Sequence, residues 1–166
     1  ILLITGKSEY SRKSFLTLMG CLINPNEGIL EINGKNTNLS CYAEMALIKS
    51  QNIGFVFHQH NLIDVINTEE NVGFPLKYQN LKSEEIKQKT IEALKMVDMF
   101  EHRKKMPKQL SKLEKQQILI ARALVINPQI MVCDKPTAFL DRPSGVFIMQ
   151  KLKELAKSGK TIVILN

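Results

Sequence analysis

The sequence predicts a three-layer α/β fold in which helices cover both faces of a mostly parallel β-sheet. Short apolar segments of strand length alternate with longer segments of helical periodicity, which is the order expected of connected strand–helix–strand units. The apolar segments are nearly continuous, as in strands buried on both faces. With 166 residues and 44% hydrophobic content, the chain is long enough to bury a sizeable core as one domain.

The predicted strands begin with the apolar run that opens the chain, which we expect to be buried. The second strand is short and ends at Asn33-Gly34, the strongest two-residue signal for a β-hairpin. The others are apolar runs bounded by polar or turn-forming residues. The strands are expected at residues 1–5, 29–32, 53–57, 130–133 and 161–165.

Helices are predicted where apolar residues recur every three or four positions. The first is expected to follow a polar turn over residues 6–13. Ser83 is expected to cap a long amphipathic helix, and Pro143 and Gly159 mark the two ends of the last one. The helices are expected at residues 14–22, 43–50, 83–100, 113–125 and 143–158, with a further helix starting at Thr68.

The chain is predicted to be a single domain over residues 1–166. Its middle part, about residues 68–112, carries helical signals and no strand signal, so we expect it to project as an inserted helical sub-domain. There is no internal repeat and no low-complexity tract, and nothing marks a second domain.

Composition narrows the function classes. The 23 lysines and arginines give a net charge of +7, but they are dispersed and accompanied by only seven phenylalanines and three tyrosines. A solvated basic surface is therefore expected, with no nucleic-acid partner.

Cys21, Cys41 and Cys133 are widely spaced, which favours reduced thiols in a cytosolic protein. No apolar run is long enough to cross a bilayer, and no leader is recognised.

The most informative stretch is residues 130–141, where an apolar strand ends at Asp134 and Pro136-Thr137 follow. A carboxylate delivered to a sheet edge is how P-loop NTPases hold Mg²⁺ near a nucleotide. With its other motifs in order, the chain resembles the ATP-binding cassette (ABC) nucleotide-binding domain, a P-loop NTPase-like fold, over essentially its full length. It is most similar to the lipoprotein-release, macrolide-export and cell-division branch. The motifs of that branch lie at residues 52–57, 61–63, 70–72, 75–76 and 120–124.

The resemblance assigns the phosphates to the turn before the first helix, where the family has G-x-x-x-x-G-K-[S/T]. In a gapless match Gly6 is retained, Glu9 replaces a glycine, Arg12 replaces the lysine and Lys13 replaces the magnesium-binding hydroxyl. A match shifted by one residue recovers a lysine–serine pair at the cost of one extra loop residue. Weak phosphate binding is expected in either case. The residues assigned to nucleotide binding are Gly6, Ser8, Ser11, Arg12, Lys13 and Ser14.

Two further family motifs are altered. His58 stands where the family has the glutamine that senses the γ-phosphate, either as a poor substitute or as a loop histidine without a role. The family signature L-S-G-G-Q, which clasps ATP on the opposing subunit, begins here as Leu110-Ser111-Lys112 and ends in Glu114. Side chains in place of the two glycines are expected to block a close approach of the backbone to phosphate.

Lys135 is the most damaging change, because it replaces the family's catalytic glutamate. A protonated lysine cannot accept a proton, and loss of a general base costs about 10²–10⁴-fold in rate; no catalytic residue is therefore assigned. Asp134 is the candidate metal ligand. We hypothesise that an ion pair between Asp134 and Lys13 or Lys135 replaces Mg²⁺.

The resemblance implies a dimer of such domains, homomeric or heteromeric, bound to a membrane-spanning transporter subunit at the cytoplasmic face of the membrane. Docking is expected through the groove near residues 58–76, and ATP and Mg²⁺ are the implied cofactors. We expect weak hydrolysis or none. The alternatives are a catalytically inactive structural or regulatory partner, and a decaying or incomplete gene product. Family elements expected before Ile1 and after Asn166 suggest a piece of a longer polypeptide.

Overall fold

The computed structural model describes residues 1–6, 8–37, 42–57 and 61–166. The strands are β1 (Leu2–Ile4), β2 (Glu31–Ile32), β3 (Lys35–Asn36), β4 (Ile53–Val56), β5 (Ile130–Asp134) and β6 (Thr161–Leu165). The α-helices are α1 (Glu9–Met19), α2 (Tyr42–Asn52), α3 (Thr68–Gly73), α4 (Ser83–Met96), α5 (Lys112–Leu124) and α6 (Arg142–Lys157). Short 3₁₀ helices occupy Phe74–Tyr78, Phe100–His102 and Pro107–Gln109.

The main sheet has the strand order β1-β6-β5-β4, and its described strand pairs are parallel. Parallel strands end at the same edge of a sheet, so the residues after β1, β5 and β4 meet there. The strands β2 and β3 form a separate antiparallel hairpin. The predicted turn of this hairpin is confirmed, because Asn33 and Gly34 have φ values of 52° and 73°, as a type I′ turn requires.

Both faces of the sheet are covered, as the sequence predicts. On β5, Met131 and Cys133 face one hydrophobic cluster, together with Ile118 of α5 and Leu152 of α6. Val132 faces the opposite cluster, which includes residues of α1 and α2. Adjacent side chains of a strand point to opposite faces, so a strand in contact with both clusters lies between two layers of helix. The predicted three-layer α/β fold is confirmed.

The prediction that the first strand is buried is wrong. Leu2 and Leu3 are 52% and 58% exposed, because β1 is at the edge of the described sheet and pairs with β6 alone. The predicted cap of α4 is also displaced by one residue. Lys82 is the N-cap, and its backbone N–H donates to Glu85 Oε2 at 2.9 Å, which places Ser83 in the first turn.

The region 68–112 contains helices and no strand among its described residues. Two of these helices, α3 and α4, pack on each other and on α5, and Val72, Leu76 and Leu94 belong to the same hydrophobic cluster as α5. The part of the chain that the structure describes contains no helix with both the length and the apolar character needed to span a bilayer.

Candidate functional site

The connection from β1 to α1 carries the residues predicted to bind phosphate. The structure starts α1 at Glu9, so the predicted turn over residues 6–13 is wrong beyond Ser8. Ser8 is the N-cap: its Oγ accepts from Ser11 N at 3.3 Å, and its carbonyl accepts from Arg12 N at 3.2 Å. The segment from Glu9 to Arg12 contains no glycine, and a serine cap with an acid in the first turn favours a helix. The N–H groups of Ser11 and Arg12, which a loop could present to an anion, are bonded to Ser8 within the helix cap.

The two basic residues of this helix are placed differently. The Arg12 guanidinium donates from Nη1 to the Gly6 carbonyl, which ties the helix to the end of β1. Lys13 is exposed and lines the adjacent cavity. Ser14 is not among the residues that line this cavity, and its carbonyl accepts a hydrogen bond from Thr17 Oγ1 at 2.8 Å. Among the described residues of α1, Lys13, Arg12 and Glu9 are therefore the ones that contribute charge to the site.

The end of β5 lies opposite this helix. Asp134 is the last residue of the strand, and Lys135 follows with a φ of 41°, in the left-handed region. The Lys135 N–H donates to the Leu165 carbonyl at 2.8 Å, which holds its backbone beside β6. Its ammonium Nζ lies 3.4 Å from Glu9 Oε1.

Lys135 pairs with Glu9. The hypothesised ion pair of Asp134 with Lys13 or Lys135 stays a prediction. The left-handed backbone at Lys135 accounts for its placement, since it turns the chain sharply at the strand end and the side chain reaches the first turn of α1.

A cavity of about 450 Å³ lies between α1 and the ends of the strands. Its wall includes Phe57 and Asn61, from the region that follows β4. Among the described residues, the ionisable side chains that line it are Glu9, Arg12, Lys13, Asp134 and Lys135. These three cations and two carboxylates give the described part of the wall a formal charge of +1, which favours an anionic ligand.

The residues predicted as a signature motif lie at the start of α5. Leu110 is buried in the core, Ser111 is the N-cap and Lys112 is exposed in the first turn. Ser111 N donates to Glu114 Oε2 at 2.6 Å, and Glu114 N donates to Ser111 Oγ at 3.2 Å. This reciprocal capping box satisfies backbone donors at the helix start from within the chain.

Two basic side chains that the sequence reasoning did not assign to this motif lie against Glu114. His102 Nδ1 is 2.5 Å from Glu114 Oε1, and Lys105 Nζ is 3.5 Å from the same atom. Burial raises the pKa of Glu114, but hydrogen bonds from Ser111 and the charges of Lys105 and His102 outweigh it, so the net pKa is below the usual value. In the sequence, the i, i+3 spacing of His102 and Lys105 is only a weak signal. It does not indicate that Glu114, nine residues after Lys105, is their partner.

His58 lies outside the described residues, as does Cys41. In the segment that follows, Arg122 donates from Nη1 to the Asn61 carbonyl at 2.9 Å and from Nη2 to Asn61 Oδ1 at 2.6 Å. Cys21 and Cys133 are buried free cysteines, and burial raises the pKa of the Cys133 thiol to about 12.

Comparison with known proteins identifies the family. A model of the ABC transporter family matches residues 2–138. The uncharacterised ABC transporter ATP-binding protein MJ0796 of Methanocaldococcus jannaschii is 41% identical over 98% of this chain and 72% of its own length. The chain belongs to the ABC transporter ATP-binding family. Its similarity to the macrolide export ATP-binding/permease protein MacB of Chlorobium luteolum, 36% identical over 98% of this chain, covers 24% of that protein.

A solved structure of MJ0796 has the same fold as this chain. Described as dimeric, in a post-hydrolysis state and bound to ADP and Pi, it superposes with a TM-score of 0.87 at 38% identity. The superposition covers 100% of this chain and 74% of that one. The ABC resemblance predicted from the motifs is therefore confirmed, and this chain is an ABC transporter ATP-binding component similar to MJ0796 and MacB.

The described residues that line the cavity do not fit the Mg²⁺ ion that the ABC family implies. At nucleotide sites Mg²⁺ is usually held by one or two carboxylates together with phosphate oxygens and waters, and the described carboxylates at the cavity are Glu9 and Asp134. Of the two carboxylates at the cavity, Glu9 is paired with Lys135. Lys13 lines the cavity with an ammonium, which repels a divalent cation and has no lone pair to offer when protonated.

Proposed function

We propose that this chain is an ABC transporter subunit that binds a nucleotide weakly and hydrolyses it slowly or not at all. It pairs with a second ABC domain, identical or different, and docks on a membrane-spanning subunit at the cytoplasmic face of the membrane. The named relatives support the general role, since one is a dimeric ATP-binding cassette and another combines ATP-binding and permease functions in its name.

The placement of Lys135 carries the proposal. Hydrolysis needs a group at the end of β5 that orients or deprotonates the attacking water. The residue after Asp134 is Lys135, and its ammonium lies 3.4 Å from Glu9 Oε1. A protonated lysine in an ion pair with a carboxylate has no lone pair for a proton, so this position cannot serve as a general base.

Two other features support slow turnover. The N–H groups of Ser11 and Arg12 bond to Ser8 within the cap of α1, which removes donors from a phosphate cradle. At the signature position, Glu114 places a carboxylate with a lowered pKa at the start of α5. A negative charge there opposes binding of a γ-phosphate from a partner subunit. Phosphate capture and the subunit clasp are therefore weakened independently of Lys135.

The docking groove is proposed to lie near residues 58–76, of which the structure describes residues 61–76. Arg122 holds Asn61 at one end of this segment. Asn71 holds its middle: its Nδ2 donates to the carbonyls of Ile63, Ile66 and Asn67, and its Oδ1 accepts from Ile63 N. A rigid loop beside the nucleotide cavity is suited to pass a change in that cavity to a membrane partner.

A titration of ATP with Mg²⁺, followed by measurement of phosphate release, tests the proposal. We expect phosphate release at or near background. The variant Lys135→Glu restores a carboxylate at the position of the family's catalytic glutamate but leaves Lys13 and the signature motif unchanged. Its rate of phosphate release is therefore expected to remain low. Lys108→Glu, at an exposed site outside the cavity, is the matched charge control. Turnover by the unmodified chain at roughly 1–100 s⁻¹ would refute the proposal.

The second candidate function is a structural or regulatory partner that needs no nucleotide. The intact Arg122–Asn61 and Asn71 contacts favour it, since they preserve the proposed docking segment although the chemical positions have changed. Co-purification of a membrane subunit from cells, with and without nucleotide depletion, separates the two. Association that is unchanged by depletion supports the structural role, and loss of association supports the nucleotide-binding role.

A further inference from the structure

We propose that the 450 Å³ cavity binds the phosphate groups of a nucleotide without a divalent cation. The Glu9 carboxylate stays paired with the Lys135 ammonium until a phosphate group displaces the carboxylate. This inference rests on the proposed nucleotide-binding function and adds the form of the ligand: a free polyphosphate rather than its magnesium complex. The misfit of the cavity to Mg²⁺ is its starting point.

The charges needed to neutralise phosphate are already present in the chain. Arg12 and Lys13 reach the cavity from α1, and Lys135 reaches it from the end of β5. Cations on two sides of a cavity can contact different oxygens of one phosphate group. The volume lies in the range of about 300–1,000 Å³ found for small-molecule sites.

The two partners of the ion pair differ in how firmly they are held. The Lys135 side chain is 28% exposed, and its backbone is held by the 2.8 Å hydrogen bond to Leu165. The Glu9 side chain is 78% exposed in the first turn of α1. An exposed ion pair adds little stability, so Glu9 can leave at low cost while the Lys135 ammonium stays in place.

Phosphate is the stronger ligand for that ammonium. A terminal phosphate group carries more than one negative charge and presents several oxygens, whereas Glu9 presents one charge. Magnesium would add two positive charges beside Lys13 and Lys135 and would lower the charge of the phosphates. The free polyphosphate is therefore expected to bind at least as tightly as the magnesium complex.

Calorimetric titration of the full chain with ATP, in EDTA and in excess Mg²⁺, tests the inference. Inorganic triphosphate is the second probe, because it separates the phosphate contribution from that of the nucleoside. We expect affinity in EDTA equal to or greater than that in Mg²⁺ for both probes. A requirement for Mg²⁺ would overturn the inference.

Charge variants test the role of Glu9. Glu9→Gln removes the competing carboxylate and is expected to raise the affinity for triphosphate roughly two- to five-fold, the effect of one exposed charge. Glu27→Gln, at an exposed site outside the cavity, makes the same change in net charge and is expected to leave the affinity unchanged. Lys135→Met is expected to lower it by at least as much as Glu9→Gln raises it. An unchanged or weaker affinity in Glu9→Gln would overturn the inference.

The outcomes separate this inference from the proposed function. Weak binding that depends on Mg²⁺, without phosphate release, contradicts the inference alone. Fast phosphate release in Mg²⁺ contradicts the proposed slow hydrolysis. Absence of binding by either probe in either condition contradicts both the inference and the proposed weak nucleotide binding, and leaves the structural-partner role. Circular dichroism of each variant checks that a change in affinity does not come from unfolding.

Discussion

Arg122 in α5 holds Asn61 by both its backbone and its side-chain oxygen, at 2.9 Å and 2.6 Å. The two residues belong to separate sequence motifs, at residues 61–63 and 120–124. The sequence shows only that both motifs are typical of one branch of the family, and not that they are in contact. In the structure they form one contact, which connects a helix of the core to the segment beside the candidate nucleotide cavity. Burial lowers the pKa of Arg122, but an arginine remains charged at all pH values at which the protein is folded.

Arg122→Lys is expected to destabilise the fold by about 1–2 kcal/mol, because a single ammonium cannot make two directed hydrogen bonds in fork geometry. Urea unfolding at neutral pH measures the change. Arg142→Lys, at an exposed position in the first turn of α6, is the matched control and is expected to change the free energy of unfolding little. Equal effects of the two substitutions would show that the Asn61 contact adds no stability.

Asn71→Asp is expected to be among the most damaging isosteric changes in the chain. Asn71 is fully buried, and its Nδ2 faces the carbonyls of Ile63, Ile66 and Asn67. The substitution replaces a donor with an oxygen that faces other oxygens, which we expect to cost about 2–4 kcal/mol. Thermal unfolding of Asn71→Asp beside Asn80→Asp, an exposed site, provides the comparison.

Two glycines give opposite expectations for the same substitution. A Cβ at Gly54 in β4 would lie 2.7 Å from the Ala123 carbonyl oxygen and 2.9 Å from Pro128 Cγ. A Cβ at Gly145 in α6 would meet nothing closer than 3.6 Å. Gly54→Ala is therefore expected to destabilise by about 1–3 kcal/mol, since α5 must move away from the sheet. Gly145→Ala is expected to stabilise by roughly 0.5–1 kcal/mol through helix propensity. Both are measured as the shift in urea midpoint, and a stabilised Gly54→Ala would contradict the packing.

Glu114 predicts a pH-dependent stability. Its pKa is lower in the folded state than the usual value of 4.5, so its contribution is present above pH 4.5 and is lost as the pH falls through the lowered pKa. Glu114→Gln is expected to cost about 1 kcal/mol near pH 6, because it weakens the capping box and the contacts with His102 and Lys105. The cost shrinks as the pH falls through the lowered pKa of the folded state, below which the carboxyl is protonated in both states.

Measurements of unfolding free energy between pH 6 and pH 3 check the Glu114 prediction. Glu84→Gln, on the exposed side of α4, is the control for the loss of one negative charge. A difference between the two variants that stays constant over this range would argue against the contacts of Glu114 as the source of its lowered pKa.

Much of the fold is predictable from local patterns. The alternation of apolar segments with helical periodicity predicts the parallel sheet and the two helical layers, and Asn33-Gly34 predicts the hairpin turn. The start of α1 is not predicted, because the resemblance to a phosphate loop suggests a turn where the local residues favour a helix. Ser8 and Glu9 carry that signal themselves, as a cap followed by an acid in the first turn.

The sequence by itself determined the composition of the candidate site, because the sequence shows which residues stand at the phosphate, metal and catalytic positions of an ABC domain. The order of these motifs also identifies the family. Tertiary structure alone decided which of these charges meet. Glu9 and Lys135 are 126 residues apart, yet their side chains lie within 3.4 Å. Strand order and the left-handed backbone at Lys135 create this contact, and no local pattern encodes either, because both depend on how distant segments pack.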